Sequence, residues 1–243
     1  MHYRLDSHTH TLASGHAYNT ISEMAQKAAE KKLELLAITE HSMTMPGTCH
    51  EFYFLNLKTV PRTMYGIELL LGTELNIIDY DGKVDMRQGL LERMDVAIAS
   101  LHTPCIRPGT VAENTRALVK AMDNPCIGII GHPDDGRYPV DYDTLAAAAK
   151  EKKVLLELNN HSLDANGARV GARENDIKML ECCMKYKTPV ILDSDAHWAD
   201  DIANCTNSLP LIQEMGFPEE LIVNSSLEEY KKYVYLYQKT ALH

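Results

Sequence analysis

Along the chain, short runs of aliphatic residues alternate with longer stretches in which apolar positions return every three or four residues. The short runs predict strands at Tyr3–Asp6, Leu35–Thr39, Leu69–Ile77, Val96–Ser100, Ile127–Gly131, Val154–Leu158 and Val190–Asp193. Leu35-Leu36-Ala37-Ile38 is apolar at consecutive positions, which suits a strand covered on both faces. Between the strands, Thr20–Lys32 places Ile21, Met24, Ala25 and Ala28 on one helical stripe and opens with a Thr20…Glu23 capping box. Further helices are predicted near Thr110–Met122, Tyr142–Lys152, Ala172–Tyr186, Leu209–Met215 and Leu227–Lys239, the last behind a second box at Ser226…Glu229. Asp79-Tyr80-Asp81-Gly82 reads as a turn, and residues 42–66 as a loop with a short helix over one end of the fold. Such alternation is the signature of βα units around a parallel sheet, and 243 residues suit a single α/β-barrel domain, 1–243.

Composition narrows the function classes. The 45% apolar and 24% charged content is that of a globular protein. No apolar run approaches the ~20 residues of a membrane span, and Met1–Asp6 has no secretory pattern. A cytoplasmic location is expected. The six cysteines form no CxxC pair and read as free thiols. A net charge of −10 argues against strong nucleic-acid binding, which would need a basic stripe. Eleven histidines against one tryptophan is an uneven balance that directs attention to the imidazoles.

Each predicted strand runs into polar residues. The first is followed by His8-Thr9-His10 and then His16, the second by Glu40-His41, and the third carries Glu74. The fourth ends at His102, the fifth at His132-Pro133, the sixth at Asn159-Asn160 and the seventh at Asp195-Ala196-His197. In a parallel βα barrel these positions share the C-terminal mouth, where catalytic groups collect. An H-x-H on a strand points both imidazoles to one side. Buried together without partners, these groups would cost several kcal/mol each. Metal ions remove that cost, and mixed imidazole and carboxylate donors suit zinc, manganese or iron better than magnesium or calcium. Nine ligands exceed the set of one ion, so two or three divalent ions are expected, with Glu74 as the bridge.

These motifs, His8-x-His10, His16, Thr39-Glu40-His41, Glu74, His102, Gly131-His132-Pro133 and Asp195-x-His197, resemble those of the polymerase and histidinol phosphatase (PHP) superfamily, and look closest to its stand-alone YcdX-like phosphatases. The resemblance implies a distorted seven-stranded (β/α)7 TIM-like barrel, a trinuclear metal site and hydrolysis of phosphate esters. It implies a first ion on His8, His10, Glu74 and Asp195, and a second shared through Glu74 with His102 and His132. His16, His41 and His197 would hold a third. Glu40 stands where the family usually has Asp, and His161 where it more often has a small polar residue.

The expected chemistry is attack by metal-activated hydroxide on a small phosphomonoester. Glu74, Asp195, Arg173 and His161 are the catalytic candidates; Arg169 and Arg107 are further candidates for binding phosphate, and His50 for the rim. No G-x-S-x-G elbow and no P-loop is present. The alternatives are an amidohydrolase-type metallohydrolase, which commonly uses a bridging lysine that no strand end supplies here, and a non-catalytic metal-binding barrel. The partner expected is a small phosphorylated substrate, with a homo-oligomer left open.

Overall fold

The computed structural model describes residues 3–165 and 167–240. Its strands are β1 (Leu5–Asp6), β2 (Leu35–His41), β3 (Thr63–Met64), β4 (Ile67–Asn76), β5 (Ala97–Ser100), β6 (Ile129–Ile130), β7 (Leu155–Asn159) and β8 (Val190–Asp193). Seven of them run parallel in the order β1-β2-β4-β5-β6-β7-β8, and β3 adds an antiparallel flap to β4. The helices are α1 (Ile21–Glu30), α2 (Glu51–Asn56), α3 (Gln88–Leu91), α4 (Val111–Ala121), α5 (Tyr142–Lys152), α6 (Ala172–Tyr186), α7 (Ser208–Met215), α8 (Leu227–Lys231) and α9 (Tyr235–Thr240). The result is the expected distorted seven-stranded parallel (β/α)7 barrel.

The period-two alternation of a strand divides the apolar residues into two cores. Leu36, Ile38, Leu69, Leu71, Ala97, Ala99, Ile130, Leu156 and Leu192 belong to the outer core beneath the helices. Leu35, Ala37, Leu70, Ile98, Ile129, Leu155 and Ile191 form the inner one, which is closed below by Val223, Tyr230 and Val234. Following the inner parity upward along each strand leads from Leu35 to His41, from Leu70 to Glu74 and from Leu155 to Glu157 and Asn159. The same inward-facing rows are therefore apolar at the floor and ionisable at the mouth.

The barrel closes between β1 and β8 with few ladder bonds. A single bridge joins Thr9 and Ala196, and side chains supply the rest. The Ser7 amide and hydroxyl donate to Asp193 at 2.8 and 2.7 Å, while the Ser194 hydroxyl donates to Asp6. This reciprocal clasp joins two similar segments, Asp6-Ser7-His8-Thr9-His10 and Asp193-Ser194-Asp195-Ala196-His197. It holds their polar ends side by side.

Several expected boundaries shift. The predicted strand Ile127–Gly131 contracts to Ile129–Ile130, and Tyr3–Asp6 to Leu5–Asp6. The predicted helix Leu227–Lys239 breaks into α8 and α9, because Val234 turns inward to join Tyr230 in the floor. The Thr20 and Thr110 capping boxes are complete, whereas Ser226 only accepts from the Glu229 amide. In residues 42–66, Met45 reaches the mouth cavity, while α2 sends the Tyr53 hydroxyl to Glu40. No helix among the described residues is long and apolar enough to cross a membrane.

Candidate metal centre

Seven histidines and two carboxylates from the strand ends meet at the mouth. Glu74 lies at the centre, fully buried at the end of β4. Its Oε1 faces His132 Nε2 at 2.8 Å and His102 Nε2 at 3.1 Å. Its Oε2 faces His41 Nδ1 at 2.7 Å, His8 Nε2 at 3.4 Å and His10 Nε2 at 3.6 Å. Asp195 Oδ1 lies 3.2 Å from His10 Nε2 and 3.6 Å from His8 Nε2. The His16 ring stacks on His41 and His197, with its Nε2 3.2 Å from His41 Nε2.

Hydrogen bonds around this cluster fix which nitrogen points inward for His8, His10, His102 and His197. Ser14 Oγ donates to Glu40 Oε2, so it must accept from His10 Nδ1–H, leaving Nε2 as the lone pair. Asn76 donates its amide to Asp85 and turns its Oδ1 to His102 Nδ1 at 2.7 Å. His8 Nδ1 pairs with Glu157 Oε1 at 2.6 Å, and His197 Nδ1 donates to the Asp195 carbonyl. These rings thus present bare Nε2 atoms toward carboxylate oxygens or one another. His8 Nε2, His10 Nε2, His41 Nδ1 and Glu74 Oε2 are buried without a hydrogen-bond partner among the described residues. Lone pairs this close to a carboxylate repel unless a cation lies between them, and outer bonds of this kind are how proteins orient ligating histidines.

The electrostatics agree at Glu74, Asp195 and His10. At His8, burial, which lowers the imidazole, is outweighed by the carboxylates of Glu157, Asp195 and Glu74, which hold it well above its ordinary value. Burial works to raise the carboxyl pKa of Glu74, but His102, His8 and His41 outweigh it and hold Glu74 well below the usual range. Asp195 is likewise held low against its burial, chiefly by His8 and His10. Burial, with His41 and His197 alongside, pushes His10 well below an ordinary imidazole. It is therefore neutral and ready to ligate. His132 and Asp195 adopt left-handed backbone, with φ of +28° and +54°, a conformation that costs ~1–3 kcal/mol for such residues. Four overlapping groups can each hold an ion: His8/His10/Glu74, His8/His132/Asp195, His41/Glu74/His102 and His10/His41/His197. They accommodate two to three divalent ions.

A cavity of about 400 Å³ opens over the cluster, walled by His16, His41, His102, Asp195 and His197. Two guanidinium groups also face it, Arg137 and Arg169. Arg137 is engaged by Asp135, whereas Arg169 is held by Ser162 at 2.8 Å and reaches Asp195 Oδ2 at 3.1 Å. Arg173 lies elsewhere: it sits on the solvent face of α6, paired with Glu214 and half exposed. The helical turn after Gly171 carries it away from the mouth. His161 lines the cavity, 6.3 Å from the His197 ring. His50 instead caps α2, accepting from the Phe52 amide, and Arg107 is not among the residues lining the cavity.

Sequence reasoning passed over Glu157, Ser14, Asn76 and Asp85, and left the part played by Glu40 open. Glu157 had a signal, being the one charge inside the apolar run Leu155-Leu156-Glu157-Leu158.

The PHP domain family model matches residues 6–166. A probable phosphatase of Caldicellulosiruptor saccharolyticus is 46% identical over 239 residues, covering 98% of this chain and 99% of its own. A probable phosphatase of Clostridium novyi is 42% identical, with 100% and 98% covered. Among solved structures, the histidinol phosphate phosphatase of Lactococcus lactis, complexed with zinc, L-histidinol and phosphate, shares the fold at 16% identity. Its TM-score is 0.63, with 89% of this chain and 95% of that one covered. With a family match across most of its length and relatives this similar from end to end, the chain belongs to the PHP-domain superfamily of metal-dependent phosphatases.

Proposed function

We propose that the protein is a YcdX-like metal-dependent phosphomonoesterase with a trinuclear centre of zinc, manganese or iron. The observation that carries this reading is the convergence of unpartnered lone pairs from His8, His10 and His41 on Glu74 Oε2. His8, His10, Glu74 and Asp195 would hold one ion. His102 and His132 would complete a second across Glu74, and His16, His41 and His197 a third. The relatives' description as probable phosphatases supports the same reading, as does the zinc and phosphate held by the Lactococcus enzyme.

When bound, the ions supply a solvent nucleophile at neutral pH and positive charge for the phosphate oxygens. The chain supplies position. Arg169, rather than Arg173, would meet a phosphate, since Ser162 and Asn159 brace it in the cavity wall that Arg137 also lines. Glu157 and Ser14 hold His8 and His10 in the tautomers that ligation needs. His161, exposed at the rim, is placed to exchange a proton with the departing alcohol. The net charge of −10 gives long nucleic acid no electrostatic track.

The test is a panel of phosphomonoesters, phosphodiesters and amides, assayed before and after chelation. Monoester hydrolysis that chelator abolishes and metal restores is the expected result. Amide hydrolysis without monoesterase activity, or no hydrolysis of any member by metal-loaded protein, would overturn the assignment.

A further inference from the structure

We propose that Tyr53 on α2 is a positioning residue for the metal centre, acting through Glu40 and Ser14 on His10 and His41. The inference rests on the metal-centre reading and is independent of which phosphate ester is hydrolysed. It starts from Ser14, which is fully buried. Its Oγ donates to Glu40 Oε2 at 2.6 Å and accepts from His10 Nδ1 and from the His41 backbone amide, both at 3.0 Å. One donor and two lone pairs are all that a hydroxyl has. Ser14 is therefore held in one orientation, and that orientation serves two of the candidate ligands.

Glu40 sets that orientation, and Tyr53 helps to fix Glu40. The carboxylate is fully buried and accepts four hydrogen bonds. Oε2 takes the Thr11 amide and the Ser14 hydroxyl, while Oε1 takes the Thr11 hydroxyl and, at 3.0 Å, the hydroxyl of Tyr53. Thr11 and Ser14 belong to the loop after β1, so Tyr53 is the donor that ties Glu40 to α2. Burial first, and Glu40 second, raise the Tyr53 phenol well above its ordinary value, so the hydroxyl keeps its proton and donates. The connection from β2 to α2 is pinned at two further points. The Thr48 hydroxyl donates to the His41 carbonyl at 2.5 Å, and a Cβ on Gly15 would fall 2.1 Å from the Gly47 carbonyl oxygen. The path from Tyr53 through Glu40 and Ser14 to His10 thus links α2 to a ligating nitrogen by three hydrogen bonds. Linkage makes the effect reciprocal: whatever factor the docking of Tyr53 adds to metal affinity, bound metal returns to the docking of α2.

The experiment uses the full chain with zinc and, in parallel, manganese, each titrated against a competing chelator. Ser14→Ala should lower metal affinity roughly 10–100-fold, the usual range for an outer partner of a ligating histidine. Tyr53→Phe keeps the ring and removes only the hydroxyl. It should lower affinity about 3- to 10-fold, less than Ser14→Ala because it acts two hydrogen bonds further from the ring. In the Ser14→Ala background, Tyr53→Phe should cost no more than about twofold, because the path is already cut. A second measurement needs no Ser14 variant. Metal loading should slow hydrogen exchange of the Glu51–Asn56 amides in the unsubstituted chain, and slow it less in Tyr53→Phe protein. Unchanged affinity of Tyr53→Phe protein for both metals, an equal loss with and without Ser14, or α2 exchange indifferent to metal would reduce Tyr53 to a structural tie and leave the metal centre intact. Failure of the unsubstituted chain to bind either metal would overturn that centre, and the role of Tyr53 with it.

Discussion

The floor and the mouth of this barrel are built from the same inward-facing rows of the same strands, yet they have opposite chemistry. At the floor, Leu35, Leu70, Ile129, Leu155 and Ile191 pack on Tyr230 and Val234. A few residues further along, His41, Glu74, Glu157 and Asn159 occupy equivalent faces. The floor's apolar side chains are satisfied by packing, although the Tyr230 hydroxyl is also buried without a hydrogen-bond partner among the described residues. The mouth buries lone pairs that nothing among the described residues satisfies, and two of its residues adopt left-handed backbone, an arrangement suited to binding partners from outside. Stability is thus concentrated at one end of each strand and function at the other.

That division can be broken residue by residue. Glu74→Ala removes the group facing both halves of the cluster, so activity should fall more than about 100-fold, beyond what an outer partner causes. Metal content should fall with it, and His16→Ala should lose less of both. Equal losses from the two, measured by steady-state rates and elemental analysis, would remove Glu74 from its central place. At the floor the expectation reverses. Leu70→Ala should destabilise the fold by about 2–5 kcal/mol in denaturant titrations, while the protein that remains folded keeps its kcat.

Glu157 lies between the two ends and sharpens the boundary. Glu157→Gln keeps the shape but weakens the hold on His8 Nδ1, so metal affinity or activity should drop roughly 10–100-fold with a small change in stability. A large stability loss with unchanged metal binding would move Glu157 to the structural side. The smallest effect concerns Asp176, whose carboxylate oxygens are buried without a hydrogen-bond partner among the described residues. Burial first, and Asp134 second, drive its carboxyl pKa well above the ordinary value. Asp176 therefore binds its proton more tightly folded than unfolded. Its contribution to stability falls as pH rises from the unfolded value near 4 through the raised one. Asp176→Asn should flatten that decline across the acid-to-neutral range in thermal unfolding scans. An unchanged pH profile would show that a partner already holds the charge.

The strands and the residues that gather at the mouth are legible in the sequence for the same reason: a short apolar run followed at once by His, Glu or Asp carries both signals in a few residues. The outer partners of the mouth histidines are harder to find, because Glu157 meets His8 and Asn76 meets His102 only after the barrel closes. Glu40 is a case of partial reading. It stands in the motif, but its bonds to Thr11, Ser14 and Tyr53 depend on where the loop after β1 and the helix α2 fold. Arg169 and Arg173 part at the start of α6: Arg169, in the loop before the helix, turns to Asp195, whereas Arg173, in the first helical turn, pairs with Glu214 on the solvent face. The sequence does not fix where that boundary falls. The break between α8 and α9 was invisible for a similar reason, since Val234 leaves the helical path to fill a floor built by distant strands.

The central claim, that the mouth is a multinuclear metal centre, is tested most directly by counting metal. Protein purified without chelator should contain two to three transition-metal ions per chain by elemental analysis, and Glu74→Ala protein should contain fewer. One ion or none in an active, chelator-free preparation would contradict the account.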